Sequence, residues 1–207
     1  MELEFDSIFY DICLGLGSNI GRLEDNLLKA IDLVKKEMTD IAVMVASNVY
    51  SSSPVGNVNQ PDFLNCVILF RLLRKTGKTQ GFIGTGRIFA ERLLLILKNI
   101  EKNMGRKNET ERYMPRDIDI DILFIYDNFL RNFVNLELPE LKLPHPEVFN
   151  RKFVLYPMLD LSISFKKPFD EESIKKALIT LKNLDIGVSQ KIFCYGKFDK
   201  KFTKILR

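Results

Sequence analysis

The chain has 207 residues, 31 basic and 27 acidic side chains, and a net charge of +4. That length supports one domain with a substantial core, and the mild positive excess favours anionic ligands without demanding nucleic acid. Cys13, Cys66 and Cys194 are scattered and form no C-x-x-C, which argues against a disulfide scaffold or zinc site and for a reduced, cytoplasmic protein. The N-terminus carries Glu2, Glu4 and Asp6 rather than a basic n-region before an apolar run, so no signal peptide is expected. The densest apolar patch, Leu93 to Leu97, is too short to span a membrane.

After an acidic lead-in, Ile8 to Leu16 reads as a buried strand, broken by turn chemistry at Gly15-Leu16-Gly17-Ser18-Asn19. G-x-G without a third glycine in register is a weak phosphate-binding signal, and a tight strand-to-helix turn explains it as well. A helix is expected from Arg22 to Glu37, with Leu23, Leu27, Ile31 and Val34 on one side. Ile41 to Tyr50 reads as a second strand, and Asp62 to Leu73 as a third that pairs with it. The polar loop between them, residues 51–61, is long enough to suggest a function. Gly77-Lys78-Thr79 lacks the glycine a P-loop needs at position 72, where Leu72 stands; Arg74 to Arg87 reads as a loop insertion. Ile88 to Met104 is a second helix, stopped by Gly105, and a charged connector, Arg106 to Tyr113, follows. Asp127 to Glu140 is irregular or a short hairpin, Leu143-Pro144-His145-Pro146 is a stiff extended loop, and Val148 to Leu159 has room for a helical turn. Asp170 can cap a helix from Glu171 to Leu184. The Lys-rich tail from Val188 is ambiguous. The order strand–helix–strand–strand–helix–strand is the pattern of an α+β, ferredoxin-like split βαβ (βαββαβ) domain, followed from about residue 165 by an extension expected to be helical.

Between the connector and the hairpin region lies Met114-Pro115-Arg116-Asp117-Ile118-Asp119-Ile120-Asp121-Ile122-Leu123-Phe124. Its alternation has period two, so on a strand Asp117, Asp119 and Asp121 share one face and the isoleucines the other. Carboxylates two residues apart on a strand stand about 6.6 Å apart at the backbone, close enough to converge on shared cations. Hard oxygen ligands suit Mg²⁺, which binds one or two carboxylates together with substrate phosphates. A solvated strand face would explain a bare D-x-D equally well. The neighbouring Arg116, a cation placed for phosphate, favours the functional reading.

Several motifs resemble, in order, those of the 6-hydroxymethyl-7,8-dihydropterin pyrophosphokinase family of folate biosynthesis. They are Leu14-Gly15-Leu16-Gly17-Ser18-Asn19 with Gly21; Tyr50-Ser51-Ser52-Ser53-Pro54; Gln60-Pro61-Asp62-Phe63-Leu64-Asn65; Ile100-Glu101 with Gly105-Arg106; Pro115 to Asp121; and Leu143-Pro144-His145-Pro146 with Asn150-Arg151-Lys152-Phe153. Each is weak alone; the ordered set is specific. The resemblance implies pyrophosphoryl transfer from ATP to the pterin hydroxymethyl group, releasing AMP, with two Mg²⁺ ions held by Asp119 and Asp121. It further implies ATP contacts from Arg106, Arg116, Ile122, His145 and Arg151, with Arg106 and Arg116 also catalytic. It implies pterin contacts from Ser52, Ser53, Val55, Phe63, Asn65 and Phe153, and loop contacts from Glu101 and Tyr113. A flat heterocycle suits stacking between Phe63 and Phe153, and Asn65 can pair with its polar edge. A monomer is the expectation, with a dimer as the alternative.

The departures from the family pattern are Phe63 where Tyr is frequent, Tyr113 where Trp is common, Asn108 in place of a second loop arginine, and a longer segment from Lys75 to Arg87. Gly17-Ser18 with a D-x-D also marks nucleotidyltransferases, but there the acids follow closely, whereas here about a hundred residues intervene. A nucleic-acid-binding module built on the basic tail is the remaining alternative; it would show steep salt dependence and no need for Mg²⁺.

Overall fold

The structure, a computed structural model, describes residues 9–38, 41–55, 59–73, 86–105, 114–184 and 191–207. Strand β1 (Phe9–Ser18) lies inside the main sheet, antiparallel to β4 (Phe63–Leu73) on one side and to β5 (Asp119–Asp127) on the other. It runs to Ser18, so Gly15 and Gly17 belong to the strand rather than to the expected turn. Two strands replace the single one expected over Ile41 to Tyr50: β2 (Ile41–Ala46) and β3 (Val49–Ser52), both paired with β4. At the break, Ser47 binds Val67 twice: Oγ accepts the Val67 N–H at 2.9 Å, and its own N–H donates to the Val67 carbonyl at 2.9 Å. A serine hydroxyl that competes with the backbone in this way interrupts a ladder.

Beyond this core, β6 (Asn132–Phe133) extends β5, and β7 (Leu136–Glu137) pairs separately with β8 (Lys142–Leu143). In the extension, α4 (Glu171–Leu184) forms as expected, with the Asp170 carboxylate accepting the Ser173 N–H at 3.2 Å. The described residues after α4, 191–207, are not helical. Ile192–Phe198 forms β9, which pairs with β3, and Ile205–Leu206 forms β10 on its outer side. The aromatic and β-branched content of β9 suits a pleated edge better than a helix. The sheet order is β10-β9-β3-β4-β1-β5-β6, with β2 beside β4.

Successive strand residues point to opposite faces. Ile12, Leu14 and Leu16 of β1, Leu64, Cys66 and Ile68 of β4, and Ile120 and Ile122 of β5 pack against α1 (Leu23–Glu37) and α2 (Gly86–Asn103). Those helices bury Leu27, Ile31 and Val34, and Phe89, Leu93 and Leu97, at the expected spacing. The other face carries α4 and α3 (Lys152–Leu161), longer than the helical turn expected there, with Phe169 stacked between Phe124 at 4.5 Å and Phe149 at 5.3 Å. One residue of β5, Leu123, is extra: pairing with β1 steps from Leu14–Ile122 to Cys13–Phe124. The bulge turns both Leu123 and Phe124 toward α3 and returns Ile125 to the α1–α2 core. Among the described residues no helix is long and apolar enough to cross a membrane.

The extension is latched to α1. The Tyr195 hydroxyl and the Arg207 guanidinium both donate to Oε1 of Glu24, the arginine at 2.8 Å, and these bonds hold the Glu24 carboxyl below its usual range. A depressed carboxyl stabilises the fold fully above its unfolded value, 4.5, and loses that contribution as pH falls through the lower folded value. Glu24→Gln should therefore lower the melting temperature at pH 7 by roughly 2–4 °C. The gap to the native chain should close as pH is taken below 4.5, which melts across pH will read. A gap that persists unchanged into acid would count against the latch.

Candidate active site

The three central strands bring the motif residues together. Gly17 pairs with Asn65 on one side and Asp119 on the other, and Gly15 pairs with Val67 and Asp121. Directly paired residues share a face, so Asn65, Phe63, Asp119 and Asp121 rise on the α3 side of the sheet, with glycine between them. Two strand spacings separate Asn65 from Asp119 at the backbone, about 10 Å. A Cβ on Gly17 would come within 3.0 Å of Asn65 Oδ1 and 3.8 Å of the Phe63 ring. The glycines thus leave a floor bare of side chains between an amide-and-aromatic wall and an acidic one.

On the acidic wall, each carboxylate faces an arginine. Arg116 Nη1 lies 2.9 Å from Asp119 Oδ1, and Arg151 Nη1 lies 3.6 Å from Asp121 Oδ2. Burial, then the charge of Asp119, pushes Asp121 up to about 7, against the pull of Arg151 and Lys98. An added cation would favour the ionised form of a carboxylate held this way. Two carboxylates are a donor set for a hard ion, and among the described residues no cluster of three or more potential His, Cys, Asp or Glu metal ligands occurs. Asp117 does not join them. It sits at a bend before β5 begins, its carboxylate beside the backbone of Gly21 and Gly105, where added Cβ atoms would lie 3.6 and 3.3 Å from its oxygens. Ile122 points the other way, buried in the α1–α2 core, so its side chain does not reach the site.

Glu101, expected to make loop contacts, lies in α2, fully buried beneath the acidic strand. Its Oε1 accepts the Ile120 N–H at 2.8 Å and Lys98 Nζ donates to its Oε2 at 2.8 Å. The Ile120 N–H lies between the two acids, so Glu101 fixes the backbone that aims them. His145 is placed by the bulge: its N–H donates to the Leu123 carbonyl at 2.8 Å. Its Nδ1 accepts the Glu147 N–H at 3.1 Å, and burial and Arg151 lower its pKa, so at neutral pH Nε2 carries the remaining proton as a donor.

On the opposite wall, Asn65 Nδ2 donates to Ser52 Oγ at 2.9 Å, and both side chains are buried. Ser53 and the half-exposed Val55 continue from β3 into the loop. Phe153 begins α3, with the Arg151 guanidinium 5.7 Å from its ring. Arg106 and Tyr113, and with them the connector over 106–113, lie outside the described residues.

Asn19 is a site-organising residue that pattern reading assigned only to a turn. Its Oδ1 accepts the Arg116 N–H at 2.8 Å, and its own N–H donates to the Arg116 carbonyl at 3.1 Å. Its Nδ2 donates to Gln60 Oε1 at 3.0 Å and to the Pro61 carbonyl at 3.3 Å. One buried amide therefore ties the arginine of the acidic wall to the loop before Phe63. The only signal in the sequence is an asparagine closing a strand, and that also describes a turn. A cavity of about 410 Å³ lies elsewhere, lined by Leu23, Ser51, Leu64 and Tyr195 among others, and shares no residue with the acidic wall.

The family model for 7,8-dihydro-6-hydroxymethylpterin-pyrophosphokinase (HPPK) matches residues 13–163. A 2-amino-4-hydroxy-6-hydroxymethyldihydropteridine pyrophosphokinase of Aquifex aeolicus is 36% identical over 165 residues, covering 80% of this chain and 88% of that protein. The Bacillus subtilis enzyme of the same name is 31% identical, covering 74% and 79%. The mitochondrial folate synthesis bifunctional protein of Arabidopsis thaliana is 33% identical over 77% of this chain, and the matched part is 24% of its own length. A crystal structure of Plasmodium falciparum HPPK-DHPS with pterin and p-hydroxybenzoate superposes with a TM-score of 0.62 at 15% identity, over 99% of this chain and 49% of that one, a likeness of fold. The match over residues 13–163, together with the two bacterial relatives, establishes that this chain belongs to the 7,8-dihydro-6-hydroxymethylpterin-pyrophosphokinase family.

Proposed function

We propose that the chain transfers pyrophosphate from ATP to the hydroxymethyl group of 6-hydroxymethyl-7,8-dihydropterin, in folate biosynthesis. The observation that carries this reading is the family match across residues 13–163, which includes both walls of the glycine-floored site. The β1-α1-β2/β3-β4-α2-β5 core, with order β3-β4-β1-β5, also supports the ferredoxin-like split βαβ assignment.

Asp119 and Asp121 would hold two Mg²⁺ ions. When bound, these neutralise the triphosphate and stabilise charge on the attacking and leaving oxygens. With the carboxylates engaged by the ions, Arg116 and Arg151, which face them here, would be available to bind phosphate oxygens. The charges of the acidic wall are re-paired rather than newly buried, which limits the reorganisation during transfer. His145 offers its Nε2–H to the nucleotide. Across the floor, Asn65 and Ser52 pair with the pterin edge, and Phe63 and Phe153 cover its faces. The hydroxymethyl oxygen bonds to the β-phosphorus as the bond to the α–β bridging oxygen breaks; AMP leaves with the bridging oxygen, and the hydroxyl proton passes to solvent. Holding those atoms in line supplies much of the rate.

Protein mixed with ATP, Mg²⁺ and 6-hydroxymethyl-dihydropterin should release AMP, and only with all three present; ADP as the main product would sink the assignment. Asp119→Asn and Asp121→Asn should each cut turnover by roughly a hundredfold or more, the scale of losing one pre-set electrostatic group. Asp117→Asn should do far less. Without metal, Asp121→Asn should melt no lower than the native chain, since it removes a desolvated charge pressed against Asp119. Near-native turnover in either of the first two variants would exclude a metal role. Phe63→Ala and Phe153→Ala should weaken pterin binding by about 1 kcal/mol beyond the lost buried area while sparing ATP. Calorimetry showing unchanged pterin affinity in both variants would return these rings to the core.

A further inference from the structure

Among the described residues beyond the family match, strand β9 meets the site wall directly. Strand β9 pairs with β3 from Val49–Gly196 to Ser52–Ile192, so β3 has a neighbour on each side. The contact continues one residue further. The Ser53 N–H donates to the Lys191 carbonyl at 3.0 Å, and the Lys191 N–H donates to Ser53 Oγ at 3.0 Å. Ser52 is meanwhile held from the other side, by Asn65. Two consecutive serines of the pterin wall are thus fixed from opposite directions, one by β4 and the other by the chain entering β9.

That strand is itself well anchored. Tyr195 and Arg207 grip Glu24 at the start of α1, with the guanidinium 5.0 Å over the Tyr195 ring. Lys35, near the other end of α1, sits 4.3 Å over the Phe202 ring. Strand β10 approaches β9 so closely at Gly196 that a Cβ there would lie 2.5 Å from the Leu206 carbonyl oxygen. Tyr195, Phe198, Phe202 and Ile205 pack against the α1–α2 core.

We propose that the β9–β10 hairpin is a positioning element for the acceptor substrate: by fixing Ser53 it pre-sets the start of the 53–62 loop and so tightens pterin binding. The proposal rests on the pterin assignment made above. A loop with one end already ordered loses less freedom when ligand binds, and that saving appears as affinity. The hydrogen bonds that reach the site go to β3, which carries Ser52 and leads into Ser53, whereas those that anchor the hairpin go to α1 on the opposite face of the sheet. The effect should therefore fall on pterin and leave ATP alone.

The test uses the full chain. Gly196→Val, whose side chain collides with the backbone of β10, should unseat the hairpin, and Lys191→Pro removes the N–H that donates to Ser53 Oγ. In each, the KM for pterin should rise about fivefold or more while the KM for ATP and kcat stay within about twofold, a split expected when only ordering of one substrate site is lost. Hydrogen exchange of the Ser53 amide should quicken in both. Faster exchange with an unchanged KM for pterin would overturn the proposal, and so would equal rises in both KM values, which would mark a general structural role. Should Gly196→Val fail to fold, Lys191→Pro carries the test. If the native chain releases no AMP, the catalytic assignment fails instead, and pterin affinity by calorimetry still reads the hairpin's effect.

Discussion

The antiparallel pairing of β1 with β4 and β5 is the constraint from which the site follows. Register sets Asn65, Gly17 and Asp119 in one row and Val67, Gly15 and Asp121 in the next. A side chain at position 17 would meet the Asn65 amide, and one at position 15 would come 3.3 Å from Leu123. Glycine in a strand weakens it locally, and such positions mark places where something approaches the backbone closely. Here that cost is offset by Ile12, Leu14 and Leu16, which β1 presents to the α1–α2 core on its other face.

Electrostatics of the acidic wall depend on its support. Two carboxylates on one strand repel, and Asp121 is also desolvated. The arginines that face them come from different elements, Arg116 from the approach to β5 and Arg151 from the start of α3. Asn19 holds the first by its backbone, and Glu101 holds the strand between the acids. An acidic pair carried by a strand and tied down from both a helix and a neighbouring strand end is positioned more sharply than one on a loop. The Leu123 bulge extends the same support to His145, whose N–H takes the Leu123 carbonyl.

On the other side, β3 is held at three levels. It pairs with β4 and with β9, and α3 clamps its start: Asp160 accepts the Asn48 N–H at 2.9 Å and the Tyr50 hydroxyl at 3.1 Å. An exposed strand edge invites unwanted pairing, and covering it with the chain's own tail removes that hazard from β3. The extension adds a stabilising contact to the fold and at the same time covers the outer edge of the strand that carries Ser52.

Much of this was legible in the sequence, for local reasons. The 3.6-residue spacing of Leu27, Ile31 and Val34 located α1, and a cap at Asp170 located α4. The period-two run through Asp119 and Asp121 put two acids on one strand face. These signals depend only on neighbours along the chain. Asp117 misled because the same alternation continues through it, while the tertiary fold starts the strand two residues later and turns it toward Gly21 and Gly105. Gly15 and Gly17 read as a turn because nothing local shows that two partner strands flank them. The bulge at Leu123, the burial of Glu101 under Ile120, the reach of Asn19 to both Arg116 and Gln60, and the pairing of β9 with β3 were decided only by tertiary structure. Each joins residues distant in the chain, and which backbone groups meet is settled by the packing of the whole sheet rather than by any stretch within it.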